Sequence, residues 1–152
     1  EAADQIRSVR SEEFLYIKNF FPDRPHLMPS NYKDSKLIIK RLMQLHNEDK
    51  LNSLSQRLLF SPTRPEEELY LYQDDKWQTK NLVNPRKITG ILQNHRDQLD
   101  QWISKTNDPG PETLETYILE TEDQMSSTGN KVSRENYRRN SEIYKNWFIE
   151  GK

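Results

Sequence analysis

Residues 68–82 read ELYLYQDDKWQTKNL, from Glu68 to Leu82. Leu69 to Tyr72 reads as a strand. Asp74 and Asp75 then stand side by side, and an Asn-Leu pair follows before a helical pattern begins. The two aspartates admit two readings. Carboxylates are hard oxygen ligands, so the pair could clamp a cation. A calcium loop, however, needs several spaced oxygens and a glycine at its bend, and here the neighbours are Gln73, Lys76 and Trp77. Aspartate is also a common turn former, because its side chain bonds nearby backbone. The turn reading is preferred, with Gln73 to Lys76 joining a strand to a helix.

Outward from this stretch, Asn84-Pro85 is a helix start: Asn caps free N–H groups, and Pro suits the first helical position. Ile88, Ile91, Leu92, His95, Leu99, Trp102 and Ile103 share one stripe, which predicts a long helix laid on a sheet. Asn107 to Pro111 ends it. Upstream, Ile6 to Arg10 alternates, and Phe14 to Phe20 is rich in strand formers. Together they predict an antiparallel hairpin, with Ile6, Ser8 and Arg10 on one face and Arg7 and Val9 on the other.

Between hairpin and third strand lie FPDRPHLMPSNYKD and two helical patterns. Prolines 22, 25 and 29 forbid regular structure in the first part. Lys36 to Leu45 and Leu51 to Phe60 read as short helices, stopped by the SPTRP segment from Ser61. Beyond Pro111, Leu114, Tyr117 and Ile118 form a weaker helical stripe. Residues 126–130 read as a link. A last helix to about Ile149 carries Tyr137, Tyr144 and Phe148 on one side, with Ser133 as its N-cap inside a Val132–Tyr137 staple.

Composition bounds the function. The 152 residues suit one domain, and a net charge of −1 argues against partners recruited by field alone, nucleic acid and membrane surface among them. The hydrophobic fraction is 32% and the mean hydropathy −1.07. Average chains run at roughly 45–50% apolar, so the core is lean, and a larger body is expected to complete it. There is no cysteine, which excludes disulfides, zinc thiolates and a Cys nucleophile. The opening residues lack a Met and a signal-like stretch, which predicts a piece of a longer protein.

His26, His46 and His95 show no metal-ligand spacing. His95 sits on the apolar stripe and is expected to be packed. His46 lies near a helix C-terminus, where a cation is favoured. His26 sits beside Arg24 on the proline-stiffened loop, a setting that often lines sites. Arg134, Arg138 and Arg139 alternate with Glu135 and Glu142 and read as a solvated face. Tyr137, Tyr144, Trp147 and Phe148 read as packing rather than a stacking platform for bases.

The order of these pieces resembles the C-terminal end of the sulfatases. That family often shows there a Glu-Leu-Tyr-Asp-Leu strand, an Asp-Pro turn, a Glu, then Asn-Leu before the helix. Leu69, Tyr70, Asp75, Asn81 and Leu82 match this pattern. The stretches IRSVRSEEFLYIKNFFPDRPHLMP and FSPTRPEEELY are similar to the branch related to N-sulfoglucosamine sulfohydrolase. Leu71, Lys76 and Gln78 depart from the pattern, where the family has Asp, Pro and often Glu. The resemblance implies an α+β fold: a small antiparallel sheet covered by a long amphipathic helix. Inserted helices at about 36–60 and a helical tail complete it. It divides the chain into a sulfatase C-terminal subdomain-like region over 1–110 and a helical tail extension over 111–152.

The resemblance implies a parent enzyme that hydrolyses sulfate esters or sulfamates on sugars, with formylglycine and calcium. Both belong to the family's N-terminal catalytic domain, the expected partner within the same parent chain. The formylglycine motif is Cys/Ser-x-Pro-x-Arg. Phe60-Ser61-Pro62-Thr63-Arg64 imitates it, but Phe60 cannot be converted and Ser61 falls one place late. No catalytic residue and no metal ligand is therefore assigned to this chain, which alone is expected to be inactive. Its expected role is scaffold and selection of a sulfated sugar. Arg24 and His26 are the first choices for anionic contacts, Tyr32 for stacking on a sugar face, and Arg7 is a further candidate. Location stays open: many relatives of the family are exported, and any leader would lie upstream. The rival reading is a stand-alone, helix-rich interaction module that binds a protein or nucleic-acid partner through its Arg- and Tyr-bearing tail.

Overall fold

The structure, a computed structural model, describes residues 3–83 and 89–152. Three strands and six helices follow in the order β1 (Ile6–Arg10), β2 (Phe14–Asn19), α1 (Asn31–Asp34), α2 (Leu37–Asn47), α3 (Ser53–Phe60), β3 (Glu67–Leu71), α4 (Thr89–Thr106), α5 (Leu114–Ser127) and α6 (Lys131–Glu150). The fold is α+β, as the alternating and helical patterns predict. These residues form two compact units. One holds the sheet and α4, over 5–21 and 65–111; the other holds α1–α3, α5 and α6, over 22–64 and 112–152 with the N-terminal residues up to Asp4.

In the sheet unit the strand order is β1-β2-β3 and both pairings are antiparallel. Ser11 closes the hairpin: its N–H donates to the Phe14 carbonyl at 2.9 Å, and its hydroxyl accepts from the Phe14 N–H at 3.1 Å. Register places Val9 opposite Tyr16 and Tyr16 opposite Leu69. Side chains alternate across a strand, so these three form one row on one face. Tyr16 and Leu69 are buried with Leu92 and Leu99 of α4, and Val9, Phe14, Leu82, Val83 and Ile103 pack against them. The helical stripe thus covers the sheet, as its spacing predicts. Ile6, Ser8 and Arg10 lie exposed on the opposite face of β1, also as the alternation predicts.

The chain returns along the outer edge of β3 after its turn. Asn81 Oδ1 accepts from the Leu69 N–H at 3.1 Å and from the Val83 N–H at 3.1 Å. Its Nδ2 donates to the Glu67 carbonyl at 2.9 Å, and the Leu82 N–H donates to the Leu69 carbonyl at 2.8 Å. A primary amide carries both a donor and an acceptor, so one side chain here substitutes for a strand partner. The predicted cap at Asn84-Pro85 and the stripe position Ile88 lie outside the described residues.

The helical unit has its own core of Ala3, Met28, Tyr117 and Tyr144, with Trp147 and Phe148 packed against it. The Tyr117 and Tyr144 rings lie 4.6 Å apart, and the Tyr144 hydroxyl donates to the Pro29 carbonyl at 2.9 Å. Asp34 accepts from Arg139 at 2.9 Å and from Asn140 at 3.1 Å, which ties α1 to α6. Two expectations need correction. A short helix, α1, stands at the end of the proline-rich loop, because Ser30 caps it and no proline lies within it. The N-cap of α6 is Asn130 rather than Ser133: the Asn130 side chain accepts from the Ser133 N–H at 3.1 Å, so the cap is the last residue of the expected link and the helix starts at Lys131. α6 ends at Gly151, whose φ of 71° suits a residue without Cβ.

Leu69 is fully buried in the row under α4. Leu69→Ala should lower stability by about 2–5 kcal/mol, the range for deleting a buried leucine side chain. Urea titration followed by tyrosine and tryptophan fluorescence measures this; a loss well under that range would remove Leu69 from the centre of the core.

Candidate functional site

The acidic pair forms a turn. The Asp74 and Asp75 N–H groups donate to the Leu71 carbonyl at 3.1 and 2.9 Å. The Asp75 carboxylate accepts from the N–H groups of Thr79 at 2.8 Å and Lys80 at 2.7 Å, and from the Thr79 hydroxyl at 3.1 Å. These backbone donors hold its carboxyl below the usual carboxylate range. Among the described residues, no group of three or more His, Cys, Asp or Glu side chains is placed to hold a metal ion.

Arg24, His26 and Tyr32 lie in the helical unit, and Arg7 in the sheet unit. Arg24 is fully buried. Its guanidinium donates to the backbone oxygen of Lys152 from Nε at 3.1 Å and from Nη2 at 2.6 Å, and from Nη1 to the Ala3 carbonyl. It also lies 5.0 Å from the centre of the Phe148 ring. Burial pushes its pKa down, partly countered by Asp4. Arg24 thus binds the proline-rich loop to both ends of the unit. His26 is half-buried on that loop, and its carbonyl accepts from the Met28 N–H at 3.0 Å. Tyr32 is 65% exposed, with the Lys36 ammonium 3.9 Å from its ring centre. Arg7 makes a forked pair with Asp108, at 2.7 Å from Nη2 and 3.1 Å from Nε. That pair holds the Asp108 carboxyl low.

Sequence reasoning missed three polar assemblies that are wholly or partly buried. Glu67 accepts from the Tyr16 hydroxyl at 2.5 Å and from Arg96 Nε at 2.7 Å, and a second bond joins it to Arg96 Nη2. The Arg96 bonds hold the Glu67 carboxyl below its usual range; burial and the neighbouring carboxylate push the Tyr16 hydroxyl up. On the opposite face of β3, Glu68 accepts from Asn19 at 2.6 Å and from the Tyr70 hydroxyl. In the helical unit, buried Arg64 forks onto Asp4. Only the alternation of β3 hinted that Glu67 and Glu68 face opposite sides of the sheet.

His95 is packed as expected: Nδ1 lies 2.8 Å from the Ile91 carbonyl and Nε2 lies 3.2 Å from the Ser11 hydroxyl. Nδ1 meets a backbone carbonyl rather than a carboxylate, and the Ser11 hydroxyl is also bonded to the Phe14 backbone, so the contact ties α4 to the hairpin turn. His46 is stacked on Phe60, with centres 4.2 Å apart and planes 8° apart, and meets Gln56 at 2.9 Å. Phe60 therefore serves as a packing ring where a formylglycine motif would need its convertible residue, and Arg64 is committed to Asp4. The residues present do not fit a formylglycine site.

The geometry defines a class: an α+β unit whose Leu-Tyr strand, Asp turn and Asn-Leu return form one closed edge. No family model matches the chain. It is 34% identical over 105 residues to the ulvan-active sulfatase of Formosa agariphila, a match over 69% of this chain and 17% of that protein. The chain carries a sulfatase-like region, and it spans less than a fifth of the length of the curated relative it matches.

Two variants check these assignments. Asn81→Ala leaves the Leu69 N–H without its acceptor and should cost about 1–3 kcal/mol in a urea titration, the range for an orphaned buried backbone group; no change in midpoint would exclude the clamp. Glu67 titrates lower when folded, so its stabilisation is full above the ordinary Glu value of about 4.3 and is lost as pH falls through the folded value. Stability should therefore drop below about pH 4.3, and Glu67→Gln should make that drop shallower. Parallel pH profiles for the two proteins would place the acid sensitivity elsewhere.

Proposed function

We propose that this chain is the C-terminal subdomain of a sulfatase of the N-sulfoglucosamine sulfohydrolase-related branch, hydrolysing sulfate esters or sulfamates on sugars. The single observation behind this is the 105-residue match to a sulfatase, at 34% identity. The positions that carry the family pattern support it: Leu69 and Tyr70 are buried, Asp75 makes the turn, and Asn81 and Leu82 close the strand. All five have architectural roles, as befits a region that supports chemistry located elsewhere. In this reading residues 1–110 are the subdomain and 111–152 an added helical tail. The catalytic domain of the same parent chain supplies the formylglycine nucleophile and the calcium that stabilises sulfate oxygens.

The chain's own contribution is scaffold and substrate selection. Of the four candidate residues, His26 is half-buried on the proline-stiffened loop and Tyr32 is exposed on α1, which follows it. Tyr32 offers a ring for a sugar face, with Lys36 beside it as a cation. Arg24 positions that loop from below, and Arg7 sets its charge beside Asp108.

Reading the coding frame upstream of Glu1 tests the assignment. A Cys/Ser-x-Pro-x-Arg motif is expected there; a gene that begins near Glu1 would overturn it and favour a stand-alone interaction module. The 152 residues alone should hydrolyse no sulfate ester with or without calcium, and turnover would reverse the division of labour. In the full-length enzyme His26→Ala and Tyr32→Ala should raise KM with little change in kcat or melting temperature, whereas unchanged kinetics would take the loop out of substrate selection.

A further inference from the structure

In the helical unit, α2 and α6 line the two sides of a hollow that neither fills. Val132, Asn136, Asn140 and Ile143 recur at helical spacing along α6, and Ile39, Met43 and Asn47 along α2. The hollow measures about 790 Å³ and is also lined by Leu27 and Met28 of the proline-rich loop. A helix usually buries one apolar stripe, yet no residue of α2 is buried. A second hollow, of about 290 Å³, is lined by Asn31, Tyr32 and Asn130. Ser35, Val132 and Asn136 line both, so the two join into one cleft with exposed Tyr32 at one end.

The cleft is held open by bonds of its own walls. Asp34 accepts from Arg139 and Asn140, and Asn31 Nδ2 donates to the Ser133 hydroxyl at 2.8 Å. These contacts set α1 as a wedge against α6. The larger hollow alone lies within the range of about 300–1,000 Å³ that ligand sites occupy. The chemistry of the walls narrows the ligand. Lys40 and Arg139 stand with Asp34 and Glu48, so the charges balance. Arg139 is already engaged by Asp34, and Glu48 by Lys50 at 2.8 Å. The other polar groups are chiefly amides and hydroxyls, which both donate and accept. Half-buried Asn136 sits where the two hollows meet, and its side chain has no hydrogen-bond partner among the described residues. Leu27, Met43 and Ile143 supply apolar surface between these groups.

We infer that this cleft binds an uncharged stretch of an oligosaccharide, with Asn136 as its central hydrogen-bonding residue and the Tyr32 ring at one end. A sugar chain carries hydroxyls that donate and accept, together with apolar C–H faces, and asks for no net charge. A lipid tail would leave the amides unpaired, which is costly. A polyanion would meet Asp34 and Glu48 and find Arg139 already taken. The inference deepens the substrate-selection reading above and rests on it. It gives the helical tail a part in that selection, through the α6 face that carries Val132 and Asn136.

The experiment titrates the 152-residue chain with cellohexaose, xylohexaose and mannohexaose, and with sulfated forms of each, and follows backbone and side-chain amides by NMR. At least one neutral hexasaccharide is expected to shift the Asn136 side-chain amide together with amides of α2 and α6. Asn136→Ala removes one donor and one acceptor and should weaken that binding about tenfold. Val132→Trp, at an exposed position, should block it by filling the cleft. Both variants should keep the melting temperature of the parent chain, which separates lost binding from lost folding. Binding by the sulfated forms alone, abolished by salt, would overturn the uncharged site. Shifts confined to Tyr32 and Lys36 would return the ligand to α1 and overturn the cleft. An upstream frame without the Cys/Ser-x-Pro-x-Arg motif defeats the subdomain reading, and the sugar as ligand with it. A frame with the motif and no shift from any hexasaccharide defeats the cleft alone.

Discussion

Leu69 is held on three sides, and the sheet unit is organised around that constraint. Its side chain is buried against Tyr16 and the stripe of α4. Its N–H is taken by the Asn81 amide and its carbonyl by the Leu82 N–H. An edge strand ordinarily leaves alternate backbone groups to water. Here the chain folds back to satisfy them, and can do so only because the Asp75 turn reverses it within a few residues. The same return brings Leu82 and Val83 into the apolar cluster. Strand, turn and return are therefore one device, and its parts have value only together.

In the most recognisable stretch of the chain the marker residues are spent on architecture. Each side chain that marks the pattern is consumed by a local bond or by burial. Asp75 holds backbone amides and Asn81 replaces a strand partner. The polar assemblies around Glu67 and Glu68 are similarly committed. In each, a carboxylate is met by donors on both oxygens, the arrangement that makes a buried acid tolerable. An acid so held is anchored rather than poised for proton transfer.

The helical unit solves a different problem with few apolar residues. Its core rests on aromatic rings, above all Tyr144 with Tyr117 and Trp147. Arg24 lies buried near Phe148 and binds backbone oxygens from distant parts of the chain. Rings bury large areas per residue, and a guanidinium offers several donors in fixed geometry. A chain with 32% hydrophobic residues can in this way form a core that composition alone makes look lean.

Local pattern by itself determined the elements. Alternation over Ile6–Arg10, the stripe through Leu92, His95 and Leu99, and the breakers at Ser61–Pro65 and Asn107–Pro111 each act within a few residues and are legible for that reason. The turn at Asp75 and the packed state of His95 were legible on the same grounds. The sulfatase-like character was legible because its pattern is compact. The ends of helices were less so: Asn130 and Ser133 both offer a cap to α6 three residues apart, and the four-residue helix capped by Ser30 is too short to show a stripe. Only the tertiary structure decided the fate of Arg24, since an arginine beside two prolines reads as a surface cation until the backbone oxygens of Ala3 and Lys152 are placed around it. The pairings of Arg7 with Asp108 and of Glu67 with Arg96 likewise join residues far apart in sequence. Their spacing carries no signal, because a charged side chain finds its partner through the path of the folded backbone.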